Sequence, residues 1–337
     1  MKNLWLFIIA FPFCGFVWAH HSDAGMNLDA VVALEGKVTE FSWRQPHAYI
    51  VVEVQEEGQT VAWEIEMGAP NVLSRNGWSK DSLAVGDQVF VRAHPMINGR
   101  KYGKLSSVER SDGRAVVQRD EGQEIEQAST NSLDGVWAAD RALFRQFQGG
   151  FDGFFNTYLR LTEKGQQAKD SYDPLSSENP EASCVGRPTP AALVSTWIYL
   201  MEIDMSQADE IITFRSEWFD EERTIYMDGR SHPDASQTLV TGHSIGRWDD
   251  DTLIVDTANF DNHRSPYQVG VPSGSQKHVV EKYRLSDDGT QIHMEFMLED
   301  PEYLAEPLIH ARDLNYSPHL EMFFGGCDPE ITKRFLN

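Results

Sequence analysis

Residues 60–78 read TVAWEIEMGAPNVLSRNGW. The first half alternates apolar and polar side chains and is rich in β-branched and aromatic residues, as a half-buried strand is. Pro70 and Asn71 then open a short helical segment, and Gly77 closes it. Two strand-like stretches precede this break, VVALEGKVTEFSW (31–43) and HAYIVVEV (47–54). Two more follow, GDQVFVRAHP (86–95) and YGKLSSVER (102–110). Five strands with one helix between the third and fourth is the plan of an OB-like small barrel, expected over residues 20–114. Such barrels often bind oligonucleotides through basic grooves. This stretch has no basic groove, so that function is excluded.

A polar, charged segment, RSDGRAVVQRDEGQEIEQASTNSL (110–133), contains the linker expected at 115–132. The second unit, 133–337, opens with LDGVWAADR, whose Gly135-x-Trp137 resembles the first strand of lipocalin-like barrels. LTEKGQQAKDSYDP (161–174) reads as a helix capped by Thr162 and stopped by Pro174. Hairpins follow, one turning at Asp249-Asp250-Asp251 and one at Asp288-Gly289. Consecutive hairpins predict a lipocalin-like antiparallel up-and-down β-barrel, able to hold a small apolar ligand. The expected fold class is therefore mostly β, a small barrel followed by a larger one.

The chain has 337 residues and starts with Lys2 and an apolar run from Leu4 to Ala19. That run is short for a membrane span, which needs about 20 apolar residues. Val17-Trp18-Ala19 ends it with small residues where a signal peptidase cuts. Residues 1–19 are expected to be a signal peptide, with an uncleaved anchor as the alternative, and the protein to be periplasmic or secreted. No later stretch is apolar enough to be an integral membrane segment. With 29 Lys and Arg against 52 Asp and Glu, the formal charge is -23. That balance repels nucleic acid and anionic lipid, and favours cations, metals or neutral molecules as partners. Cys14 leaves with the signal peptide. Cys184 and Cys327 then form an even pair, read as a disulfide or as two free buried thiols.

Two resemblances rest on motifs in order. HHS at 20–22, WRQPHAYI, GAPNVLSRNGW and LAVGDQVFVRAHP resemble a family of exported bacterial domains of unknown function, over residues 20–110. Gln45 stands where that family usually has Asn. LTEKGQQA, YMDGRSHP, GHSIGRWDDDTLIVDTANF and VVEKYRL resemble a second uncharacterised exported family, over 134–327. The resemblances imply location and a small β-barrel, and no chemistry.

Two sets of residues are candidates for function. Cleavage after Ala19 would leave His20 with a free amine, and His21 beside it, a nitrogen-rich chelate suited to copper. His47 and His94 each stand beside a proline at a strand end and could complete the metal site. Alternatively, these histidines are a solvated start and two turn caps. In the second unit, His243 and Asp256 lie on either side of the Asp249–Asp251 turn and could be cross-strand neighbours. There His243 would be the acid/base, Asp256 its orienting partner and Arg230 the oxyanion stabiliser. Asp228, His232 and Glu281 would add ligand-binding groups lining the barrel. The same residues are also good turn chemistry and could be a structural network. The leading expectation is a protein binding a small apolar or neutral molecule. The alternatives are an enzyme on a small apolar or carbonyl-bearing substrate, and a scaffold or assembly module.

Overall fold

The computed structural model describes residues 25–113, 116, 127–147 and 150–336. The expected signal peptide, His20, His21 and most of the 115–132 segment lie outside the described residues.

The first barrel comprises β1 (Val32–Ser42), β2 (Tyr49–Glu56), β3 (Gln59–Glu66), β4 (Gln88–Pro95) and β5 (Tyr102–Arg110). Helix α1 (Pro70–Ser74) follows β3. The strands run β1-β2-β3-β5-β4 around a closed barrel, and β3 meets β5 in parallel. Closure comes from the long β1, which pairs with β4 through its first half and β2 through its second. A register shift between Val38 and Glu40 bends it between the two. Gly36 sits in that strand because a Cβ there would lie 2.2 Å from the Glu53 carbonyl oxygen. Val38, Ile50, Val52, Ile65, Val89 and Val91 fill the centre and are fully buried. They are the inward half of the alternation seen in the sequence. Pro70 at the start of α1 and Gly77 (φ 82°) beyond its end set the helix where the sequence predicts it.

The second barrel has nine strands in sequence order. They are β6 (Gly135–Ala139), β7 (Met201–Asp204), β8 (Ile211–Ser216), β9 (Glu221–Tyr226), β10 (His243–Asp249), β11 (Thr252–Ala258), β12 (His278–Leu285), β13 (Gln291–Glu299) and β14 (Leu308–Tyr316). β14 returns antiparallel to β6 and closes the wall. An odd number of strands cannot close with every neighbour antiparallel. The single parallel seam lies between β9 and β10, through Ser244↔Ile225 and Ile245↔Tyr226. The barrel is therefore up-and-down with one reversal, and residues 227–242 carry the chain back along the wall.

Between β6 and β7 lie α2 (Gly150–Tyr158), α3 (Glu163–Asp170) and α4 (Ala191–Val194). Thr162 caps α3 by accepting from the Gly165 amide. Phe151, Phe154 and Phe155 of α2 join Trp197 and the inward side chains of the strands in one core. Much of the barrel is thus packed solid, with Trp137, Trp197, Phe154, Tyr283 and Phe296 at most 1% exposed. This departs from the apolar ligand chamber expected of a lipocalin-like barrel. The aromatic insertion occupies that space.

Contacts that join the barrels include a buried carboxylate and the C-terminal tail. Glu217, fully buried, accepts from Asn71 Nδ2 (3.2 Å), Arg75, and the amides of Leu200 (2.9 Å) and Phe323 (2.9 Å). Cys184 and Cys327 are disulfide-bonded. Beside Cys327 the tail pairs with Gln45, whose carbonyl accepts from the Asp328 amide (3.1 Å). Helix α5 (Pro329–Thr332) then packs Ile331 against a buried group containing Tyr49, Tyr102 and Ala182.

Removing one partner of a buried charge pair leaves the other uncompensated. Glu217→Ala is therefore expected to lose about 3–5 kcal/mol in chemical denaturation. Glu217→Gln, which keeps acceptor capacity, is expected to lose less.

Candidate functional site

Polar groups gather on both sides of the second barrel's wall. Along β10 and β11, Ser244, Leu253, Val255 and Thr257 are buried and point inward. His243, Ile245, Asp256 and Ala258 alternate with them and point outward. The hairpin closes with Asp249↔Thr252, so its turn is the two residues Asp250 (φ 50°) and Asp251. His243 therefore faces Ala258, and Asp256 faces Ile245. His243 and Asp256 are diagonal, not directly opposite.

The returning segment 227–242 fills the gap between them. His232 places Nδ1 3.0 Å from His243 Nδ1 and Nε2 3.0 Å from Asp256 Oδ1. His278, the first residue of β12, brings its Nε2 to 2.8 Å from the same oxygen. Glu299 lies across from His278, 3.6 Å from its Nδ1. On the far side Tyr226 stacks on His243, with centroids 5.1 Å apart. Arg230 lies 3.9 Å over the Tyr226 ring and is held by Asp228 Oδ1 at 2.9 Å.

The electrostatics follow from these contacts. The hydrogen bond from His278 is the largest influence holding Asp256 below the usual carboxylate range. The same bond raises His278. Burial lowers His243, helped by the nearby His232 and Arg230 charges. The Arg230 hydrogen bond brings Asp228 down to about 2. The Asp256 carboxylate requires Nε2–H on His232. In the neutral pair, His232 Nδ1 then accepts from His243 Nδ1–H. That leaves His243 Nε2 as a base at the end of a chain running back to a carboxylate.

Asp228, Arg230, His232, His243 and Asp256 thus share one surface, but it is the outer one. The expectation that they line the barrel interior is corrected by the strand alternation. Arg230 is committed to Asp228 and the Tyr226 ring. His278 and Glu299 were not anticipated. The signal for them was their place on the outward period of β12 and β13.

Glu281 faces inward, separate from the others. It takes Arg223 through two bonds (3.0 and 2.7 Å), the Tyr283 hydroxyl (2.9 Å) and the Thr189 hydroxyl. Its partners are complete, and Arg223 also reaches Thr257 (3.2 Å).

Lys277 sits four residues before Glu281 on the same inward face. It is 2% exposed, and its Nζ makes no hydrogen bond. It stands 4.1 Å from the Phe260 ring centroid and 5.2 Å from that of Tyr267. The Tyr267 and Ser273 hydroxyls and Asp300 Oδ1 are also buried without partners. Burial lowers Lys277 to about 7 and raises Glu221, at the start of β9, to about 7. It raises Asp300 as well. His263 is neutral: Nδ1 accepts from the Ser265 amide (3.1 Å), and Nε2–H donates to the Gly186 carbonyl (3.0 Å). Tyr267, Ser273 and His263 belong to a loop between β11 and β12 that is buried from Ser265 to Gly274. Connecting loops normally run over the surface, so nothing in a sequence reading marks this one as interior.

Of the four expected metal histidines, His20 and His21 lie outside the described residues, and His47 and His94 each meet a different backbone carbonyl. His47 Nδ1 lies 3.1 Å from the Met67 carbonyl, and His94 Nδ1 2.9 Å from that of Ala30. Among the described residues no group of three or more His, Cys, Asp or Glu is arranged to hold a metal ion. No helix among them is long and apolar enough to cross a membrane.

Residues 12–106 match the model of a family of unknown function (DUF6152). No curated protein and no solved structure matches the chain.

The outer cluster carries a pH signature. His278 is raised in the fold, so its contribution to stability is complete below about 6.5 and fades as pH rises through the folded value. Asp256 is lowered, so its contribution holds above about 3.9 and fades as pH falls through the folded value. Asp256→Asn is expected to destabilise most near pH ~5.5 and less at pH ~8. The loss stays under about 1 kcal/mol, because Asp256 is 40% exposed and screened. Thermal unfolding across that range checks it.

Proposed function

We propose that the chain is an exported protein that binds a small neutral molecule on the inner side of its second barrel, at Lys277. The carrying observation is that Lys277 Nζ is buried without a hydrogen bond beside the Tyr267 ring and within the influence of Asp300, and that Tyr267 Oη and Asp300 Oδ1 are buried without hydrogen bonds as well. Buried polar groups are nearly always hydrogen-bonded. An ammonium without partners costs several kcal/mol unless it loses its proton or meets a ligand. Here donors predominate, which suits a molecule presenting acceptor oxygens. Phe260 and Tyr267 supply the apolar walls. Three carboxylates, Glu221, Glu281 and Asp300, act on Lys277 and oppose an anionic ligand.

A second reading is proton transfer at the outer face. The series Asp256–His232–His243 supports it, since a carboxylate orients one imidazole and that imidazole meets the next.

A binding lysine and a structural lysine differ in what their loss does. Lys277→Met removes an unpaired buried cation and is expected to stabilise the fold by about 1–4 kcal/mol. The groups facing Lys277 are Glu221, Arg223, Glu281, Asp300, His263 and Tyr267. Because its folded value is near 7 and its unfolded value about 10.4, the unfolded wild type binds more protons between them. Wild-type stability therefore rises with pH across that window. The advantage of Lys277→Met is largest below pH ~7 and shrinks towards pH ~10. Native mass spectrometry of full-length protein exported to a periplasm should show a retained small molecule that Lys277→Met and Tyr267→Phe both lose. Retention by these variants but loss in His243→Ala would move the site to the outer face. A destabilised Lys277→Met with no retained mass in the wild type would sink the binding reading.

A further inference from the structure

We propose that Lys277 forms a reversible imine with the carbonyl carbon of a neutral aldehyde or ketone held beside it. This rests on the binding reading above and names the class of ligand. The amine projects from the inner face of the wall, with no hydrogen bond, between two aromatic rings. A desolvated lysine in an apolar setting is a nucleophile, because its lone pair is not committed to a proton. Burial brings Lys277 to about 7, so a large share is neutral at that pH. The unpartnered hydroxyl of Tyr267, whose ring lies beside the amine, is a donor available to a carbonyl oxygen. Glu221, raised to about 7, can exist as an acid and return as a base.

The chemistry balances without an oxidant or a reductant. The Lys277 lone pair attacks the carbonyl carbon, a C–N bond forms, and the C=O π electrons move to oxygen. One proton passes from nitrogen to that oxygen, giving a carbinolamine. The C–O bond then breaks as a second proton reaches the oxygen, and water leaves. The nitrogen gives up its remaining extra proton, and C=N remains. The sum is amine plus carbonyl giving imine plus water, and hydrolysis reverses it. The surrounding carboxylates make a keto acid a poor fit, and the aromatic walls favour a neutral chain.

Propanal with sodium cyanoborohydride at pH ~7 tests this on the full, disulfide-bonded chain. The expected result is one propyl group on Lys277, found by peptide mapping, before the exposed Lys282 reacts. Lys277→Arg, which keeps the cation but forms no neutral imine, should lose that label while Lys282 labels as before. Thermal unfolding with propanal alone separates the two readings. A rise in melting temperature that Tyr267→Phe abolishes, without an adduct at Lys277, overturns the imine and leaves binding intact. Labelling that follows solvent exposure, with no rise in melting temperature, overturns both.

Discussion

The second barrel is governed by parity. Nine strands cannot close with every neighbour antiparallel, so one seam must be parallel, and here it is β9 with β10. A parallel seam demands that the chain travel back the length of a strand before pairing again. The returning segment, 227–242, has no room inside a packed barrel and runs over the outside. It carries His232 to a position between His243 and Asp256, which the hairpin register leaves one diagonal apart. The outer cluster is thus a product of topology more than of any one motif.

The same wall divides two kinds of chemistry. Lys277 and His278 are adjacent in the chain, yet strand alternation sends one inward and the other outward. Outside, histidines and carboxylates are partly solvated and paired, so their protons exchange readily. Inside, Glu281 and Arg223 are matched by each other and by Tyr283, Thr189 and Thr257, while Lys277 is left without a hydrogen bond. Lys277 thus carries a desolvation cost that the matched network beside it does not.

Local periodicity made much of this legible. The alternation in TVAWEIE, the Pro-Asn to Gly helix and the Asp-rich turn each report on a few neighbouring residues, and the structure keeps all of them. Cysteine parity offered a disulfide beside two free thiols, and the disulfide is what the structure has. The parallel seam was not legible, because strand parity belongs to the closed barrel and to no segment of it. Nor was the packed interior, since the aromatic residues of α2 fill a space formed by strands far along the chain. Asp228, Arg230, His232, His243 and Asp256 are together as their spacing suggested. Their side of the wall turned on which alternate residues face inward, and on a turn of two residues where three aspartates stand. Lys277 escaped notice because its loop is polar enough to read as surface, and burial is decided by tertiary packing.

The tail has a consequence for redox state. Cys184 lies in the insertion between β6 and β7, and Cys327 follows the last strand, so their bond encloses 143 positions of the chain. In the folded chain the bond holds the tail against the insertion, beside Gln45 of the first barrel. In a reducing medium the bond opens, and the tail rests on the insertion and on the first barrel through non-covalent contacts alone. Glu217 joins the barrels in either state. The thiol balance of the surroundings thus sets how firmly the tail is anchored to the second unit, and with it how firmly the tail clasps the first.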